Sequence, residues 1–171
     1  MSFKNRPTGT KRNHPWEQPS PVRQLSKRTQ YSLRALYALT RKFGEGPVLI
    51  TTLAESETIP KKFLEQILVS LKSAGFVASK KGKGGGYVLA QPPEKITIGS
   101  VIRAIEGPLA PLPCASETRF KKCDECVDIK TCGTRIVMRQ VRDAMAAILD
   151  ETTLAMVNKK VDEARKSQQT N

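Results

Sequence analysis

The chain has 171 residues, 39% of them hydrophobic, with 29 Lys and Arg against 16 Asp and Glu and a formal net charge of +13. That length holds one ordinary domain with appendages, and the apolar fraction, though low, suffices for a small core and excludes wholesale disorder. No apolar run is long enough to span a membrane and the polar start, Met1 to Pro21, has no secretion-signal core, so a reducing cytoplasmic location is expected.

A positive excess of this size favours a polyanionic partner, nucleic acid above a membrane surface. It is unevenly spread. Residues 1–30 hold seven basic side chains and one acid, Glu17, whereas the segment Cys114–Cys132 holds four of each sign and is neutral.

Residues 1–24 mix Pro, Asn, Lys and Arg without apolar periodicity and read as a flexible basic arm, suited to phosphates or simply solvated. A first helix is expected from Ser26 or Thr29: Leu33, Leu36 and Tyr37 fall at i, i+3 and i+4, with Thr40 a polar break at i+7. Gly44 and Gly46-Pro47 end it. After the short apolar stretch Val48 to Ile50, a second helix is expected near Thr51–Ser56, where Thr52 and Glu55 have the spacing of a capping box. Pro60 opens a third, with Leu64, Ile67, Leu68 and Leu71 as its core stripe and Gly75 as its C′ residue. Its other face offers Lys61, Lys62, Glu65, Gln66 and Ser70, all hydrogen-bonding side chains.

Two β-prone segments, Phe76–Ser79 and Tyr87–Ala90, flank the basic glycine-rich run Lys80–Gly86 and predict a hairpin. A nucleotide-binding loop is excluded, because Tyr87 stands where GxGxxG requires glycine and no GK[ST] occurs. A fourth helix from Thr97 or Ser100 carries Val101, Ile102 and Ile105 and stops at Gly107-Pro108. Thr134 to Asp150 predicts a longer helix with the stripe Val137, Val141, Ala144, Met145 and Ile148. Such a stripe commonly faces a core, but a helix that follows an excursion loop has little left to pack on within its own subunit, which points towards a homodimer. A last short helix is expected through Val157, followed by a frayed polar tail from Lys159.

Three short helices followed by a glycine-tipped basic hairpin is the order of a winged helix-turn-helix. The expected fold is therefore mostly α with a small β-hairpin wing, ending in a long dimerisation helix. Its parts are the arm (1–24), the DNA-binding domain (25–107), a cysteine loop (108–133), the dimerisation helix with a short terminal helix (134–158) and the tail (159–171). The third helix suits a major groove about 12 Å wide, and Lys80, Lys81 and Lys83 suit phosphates or a narrow minor groove. The wing glycines are expected to let the backbone approach DNA closely.

Cys114, Cys123, Cys126 and Cys132 offer up to four soft thiolates within one loop, a set suited to zinc or to an iron–sulfur cluster, or to metal-free thiol chemistry. Spacing does not separate zinc from iron. Enzyme chemistry has no support: the one histidine, His14, lies in the arm, and no Ser/His/Asp, Walker or dinucleotide constellation occurs. The Cys123-x2-Cys126 pair is set among prolines and charges instead of opening a helix after a strand, unlike a redox enzyme.

Three segments carry a family resemblance: Leu25–Tyr31, Ile59–Ile67 and the wing Gly82–Tyr87. Together, and in this order before the cysteines, they resemble the Rrf-type winged helix-turn-helix regulators, the IscR-, NsrR-, RirA- and CymR-like proteins, from about Leu25 to Val157. The resemblance implies a dimeric transcription regulator, a repressor by expectation, on a pseudo-palindromic operator in double-stranded DNA. It places Glu65 and Gln66 at base edges and implies contacts from Arg28, Lys61, Lys62, Lys80, Lys81, Lys83, Gly84, Gly85 and Tyr87. Lys81 stands where a wing arginine is usual, and a lysine lacks the planar fork. The resemblance also favours an iron–sulfur cluster (2Fe-2S or 4Fe-4S) over zinc at the four cysteines. The family's sensors usually carry three; Arg135 stands where a ligand histidine occurs in some members, so the fourth place falls to the extra cysteine or to Gln30. A regulator that works through a partner protein docked on the 137–148 stripe is the alternative.

Overall fold

The computed structural model describes residues 25–169 apart from Lys83; the basic arm and Lys83, one of the candidate DNA contacts, lie outside the described residues. Helix α1 (Lys27–Arg41) starts at Ser26, whose Oγ accepts the Thr29 N–H at 3.2 Å. Its stripe buries Leu33, Leu36 and Leu39. Thr40, the polar break, satisfies its hydroxyl within the helix by donating to the Leu36 carbonyl at 2.8 Å.

Helix α2 (Ile50–Ser56) begins one residue before the expected start, and Leu49 caps it without a side-chain bond. Thr52 and Glu55 are exposed and no capping box forms. The cause lies upstream. Val48 exchanges two 2.9 Å backbone hydrogen bonds with Tyr87, and this fixes where the chain turns into α2.

Helix α3 (Lys61–Ser73) follows a tight turn in which Thr58 has φ +51° and Ile59 is buried. Pro60 is the N-cap residue, just outside the first turn, and its carbonyl accepts from Leu64 at 2.9 Å. At the other end Gly75, at φ +77°, completes a Schellman motif in which Phe76 N–H bonds the Leu71 carbonyl and Gly75 N–H that of Lys72. Strands β1 (Val77–Lys80) and β2 (Gly86–Leu89) pair antiparallel, Val77 opposite Leu89 and Lys80 opposite Gly86.

Helix α4 (Ile98–Glu106) is capped by Thr97 and packs on α1. Helix α5 (Gly133–Glu151) lies against α4, where Arg103 and Asp150 form a bidentate pair at 2.5 and 2.7 Å. Gly99 makes room for it, since a Cβ there would collide with the Asp150 carboxylate. The last helix corrects the expectation. Instead of ending near Val157 before a polar tail, α6 runs Leu154–Gln169. Its first turns return to the core: Leu154 is fully buried, and Asn158 donates to the Tyr37 carbonyl at 3.2 Å. Beyond them, Lys, Glu, Ala, Arg and Gln carry the helix on propensity.

One core joins α1, α3, α4, the wing and the start of α6. Among the described residues no helix is long and apolar enough to cross a membrane.

Candidate nucleic-acid interface and cysteine loop

The inner face of α3 is sealed, with Leu64, Ile67, Leu68 and Leu71 fully buried. This turns Lys61, Lys62, Glu65 and Gln66 outward, and all four are exposed. Arg28 reaches across from the first turn of α1 and donates to Ser70 Oγ at 2.6 Å, so its cation is fixed beside the outward face of α3. Ser70 also donates to the Gln66 carbonyl at 3.0 Å, so its one hydroxyl proton is used within the chain.

The wing holds Lys80, Lys81 and Gly84 in solvent, while Gly85 and Tyr87 are half-buried. Its glycines have an internal purpose. A Cβ on Gly85 would strike the Lys80 carbonyl, and one on Gly86 would strike that of Val48. They are needed because the tip folds tightly on itself and is backed by Val48. Tyr87 likewise roots the wing: its ring packs against the core and its backbone pairs with Val48.

The four cysteines line one open cavity of about 480 Å³, with Leu112, Asp128 and Arg135 among its walls. Cys114 is buried, Cys123 exposed, and Cys126 and Cys132 half-buried. The Cys126 N–H closes a turn onto the Cys123 carbonyl at 3.2 Å. Asp128 shapes the next turn, accepting from Lys130 N–H at 2.9 Å and Thr131 Oγ1 at 2.7 Å; these bonds hold its carboxyl below the usual range. Cys132 is the N-cap residue of α5. Burial pushes the Cys114 thiol up, and the neighbouring Cys123 thiol adds to this. Among the described residues no three His, Cys, Asp or Glu side chains are gathered tightly enough to hold a metal ion. By chemistry, four thiols on one cavity fit a thiophilic centre; by position they form a loose set around its wall. Gln30 does not line that cavity, and its amide nitrogen donates to the Leu25 carbonyl at 2.7 Å.

Two arginines of α5, two turns apart, fasten the loop to that helix. Arg135 Nε donates to the Cys114 carbonyl at 2.9 Å, and its guanidinium lies over the Phe120 ring. Arg142 is itself buried and donates from Nη1 to the Ala115 carbonyl at 2.6 Å, with Glu117 at 3.0 Å and Asp143 at 2.5 Å as counter-charges. Sequence reasoning missed Arg142. Its only signal is an arginine two turns beyond Arg135 on a helix whose other face is apolar. That apolar face is uncovered: Val137, Val141, Met145 and Ile148 are all exposed.

The chain is similar to known proteins in sequence and fold. A family described as an iron-dependent transcriptional regulator, Rrf2, matches residues 25–160. The rrf2-like HTH-type regulator of Rhodobacter capsulatus is 37% identical over 133 residues, covering 76% of this chain and 89% of that protein. Among solved structures, CymR, the global cysteine regulator of B. subtilis, is 32% identical with a TM-score of 0.67, covering 81% of this chain and 98% of that one. T. potens IscR is 34% identical with a TM-score of 0.65, covering 82% and 90%. The chain thus belongs to the Rrf2 family of DNA-binding transcriptional regulators, winged-helix proteins that are not enzymes.

Proposed function

We propose that this regulator is a cytoplasmic homodimeric repressor that holds a pseudo-palindromic operator and changes its grip with the state of its cysteine loop. The observation that carries the reading is the double fastening of that loop: Cys114 and Ala115 are tied by Arg135 and Arg142 to the helix that also bears the uncovered apolar stripe. A change in the loop therefore acts on the helix that sets the spacing of two DNA-binding heads. In each head Glu65 and Gln66 meet base edges, and Arg28, Lys61, Lys62, Lys80, Lys81 and Lys83 meet phosphates or the minor groove. Gly84 and Gly85 let the tip turn, and Tyr87 supports the wing from behind.

Cys114, Cys123, Cys126 and Cys132 would hold an iron–sulfur cluster, which supplies a centre sensitive to oxidants and to iron supply. The chain's part is to keep Cys114 in place through Arg135 and to present Cys123, Cys126 and Cys132 to the same cavity. Anaerobic purification tests this. A brown protein with visible absorbance and bound iron, lost in each Cys→Ala variant, supports the cluster; a colourless parent without iron overturns it.

One observation favours a second reading: Cys114 and Cys123 are both free thiols on the wall of the same cavity. Metal-free thiol sensing at this pair would leave a colourless protein whose DNA affinity still changes with oxidant. Stoichiometric zinc lost only in the cysteine variants would make the loop a structural site, with a partner protein on the α5 stripe as the remaining route of control.

A further inference from the structure

The outward face of α3 contains an apolar side chain that the roles above leave unused. Val69 is 63% exposed, and it is the one exposed apolar side chain of that helix. It follows Lys62 by two turns and Glu65 and Gln66 by one, so these four and Ser73 share the face opposite the sealed Leu64–Leu71 stripe. A β-branched residue in the exposed middle of a helix is a poorer helix former than Lys, Glu or Ala, and Val69 recovers nothing by burial within the chain. Its polar neighbour Ser70 already donates its hydroxyl proton to the Gln66 carbonyl and accepts from Arg28, so it has no proton left to donate to a base. With Ser70 and Ser73 beside it, the second half of α3 carries small side chains that permit close approach to a groove, while Lys61, Lys62, Lys72 and Arg28 around it supply charge complementary to phosphate.

We propose that Val69 is a specificity-determining residue that packs against the 5-methyl group of a thymine in the major groove. Thymine alone among the four bases presents a methyl there, and a small aliphatic side chain reads it by apolar contact. The proposal rests on α3 being the DNA-reading helix and deepens that reading.

The test uses the full chain and chemistry confined to one methyl. Binding sites are selected from random duplex DNA with the parent protein, and each thymine of the selected site is then replaced, one at a time, by deoxyuridine. One thymine in each half-site should weaken binding about fourfold when its methyl is removed, the worth of one buried methyl group. In Val69→Ser that penalty should vanish while penalties at other positions persist, and Val69→Thr, which keeps one methyl, should retain part of it. Because the side chain is exposed, neither variant disturbs the core. A selected site in which no uracil replacement weakens binding, or a penalty that survives in Val69→Ser, overturns the assignment to Val69 alone. A parent that enriches no sequence overturns base reading by α3, and this proposal with it.

Discussion

Replacing Arg142 with Met should release the first part of the cysteine loop from α5 and leave the DNA-binding core folded. The arginine side chain is 9% exposed, and its Nη1 bond at 2.6 Å serves the carbonyl of Ala115, a residue only 1% exposed. A hydrogen bond from a charged group to a buried acceptor contributes about 1.5–3 kcal/mol. The ion-pair partners add little, because Glu117 and Asp143 are 73% and 58% exposed and such pairs yield about 0–1 kcal/mol. Methionine fills most of the vacated stem, so the net loss is about 2 kcal/mol, or roughly thirtyfold in the equilibrium for local opening. Cys114 adjoins Ala115 and is 4% exposed, so its alkylation reports that opening, while exposed Cys123 serves as a control within the same molecule. Site-resolved mass spectrometry of alkylation rates should show Cys114 accelerated about thirtyfold relative to Cys123. A ratio within about twofold of the parent would refute the latch, given the magnitude above. A gain at Cys114 matched by an equal fall in global stability against urea would show that the loop opens only with the whole domain.

Three further outcomes are expected. Lys81→Ala combined with Lys83→Ala should flatten the slope of log affinity against log salt by about one unit for each phosphate no longer neutralised, and an unchanged slope places these lysines away from phosphate. Gly86→Ala should cost more than about 1 kcal/mol in urea denaturation, because φ is +152° and the added carbon meets the Val48 carbonyl; parent-like stability would mean that the wing is not backed by Val48. Arg103 holds the Asp150 carboxyl below its ordinary range, mainly by hydrogen bonding, so the folded state binds that proton less readily than the unfolded state. This contribution is complete above the ordinary aspartate pKa, about 4, and fades as pH falls through the lowered value. With both side chains substantially exposed it amounts to about 0.2–1 kcal/mol; Asp150→Asn should lose this near neutral pH and converge with the parent in acid, and a gap that widens on acidification refutes the sign.

Regular apolar spacing made the DNA-binding half legible. The stripe of α3 reads directly into four buried side chains, and Gly75 at its end into a Schellman turn. Where the structure departs from expectation, contacts distant in sequence override a local signal. Thr52 and Glu55 have capping-box spacing, yet the Val48–Tyr87 pairing starts α2 earlier and leaves them in solvent. The C-terminal half of α6 has no continuous apolar stripe, so its sequence resembles a tail; good helix formers and an Asp162–Arg165 pair at 3.7 Å extend it to Gln169. For the site, the cysteines were evident from clustering alone, but their fastening was not. Nothing in a sequence marks a carbonyl such as that of Ala115 as the target of an arginine 27 residues further along.

The two hydrogen bonds between Val48 and Tyr87 have a mechanical consequence. Val48 leads directly into α2, so the hairpin is joined near its tip end, at Tyr87, to the segment that starts that helix. It cannot swing while α2 and α3 stay still. Lys80, at the end of β1, thereby takes its position from the segment before α2. A wing tied in this way leaves adjustment to different DNA sequences to the DNA itself, through bending and groove width.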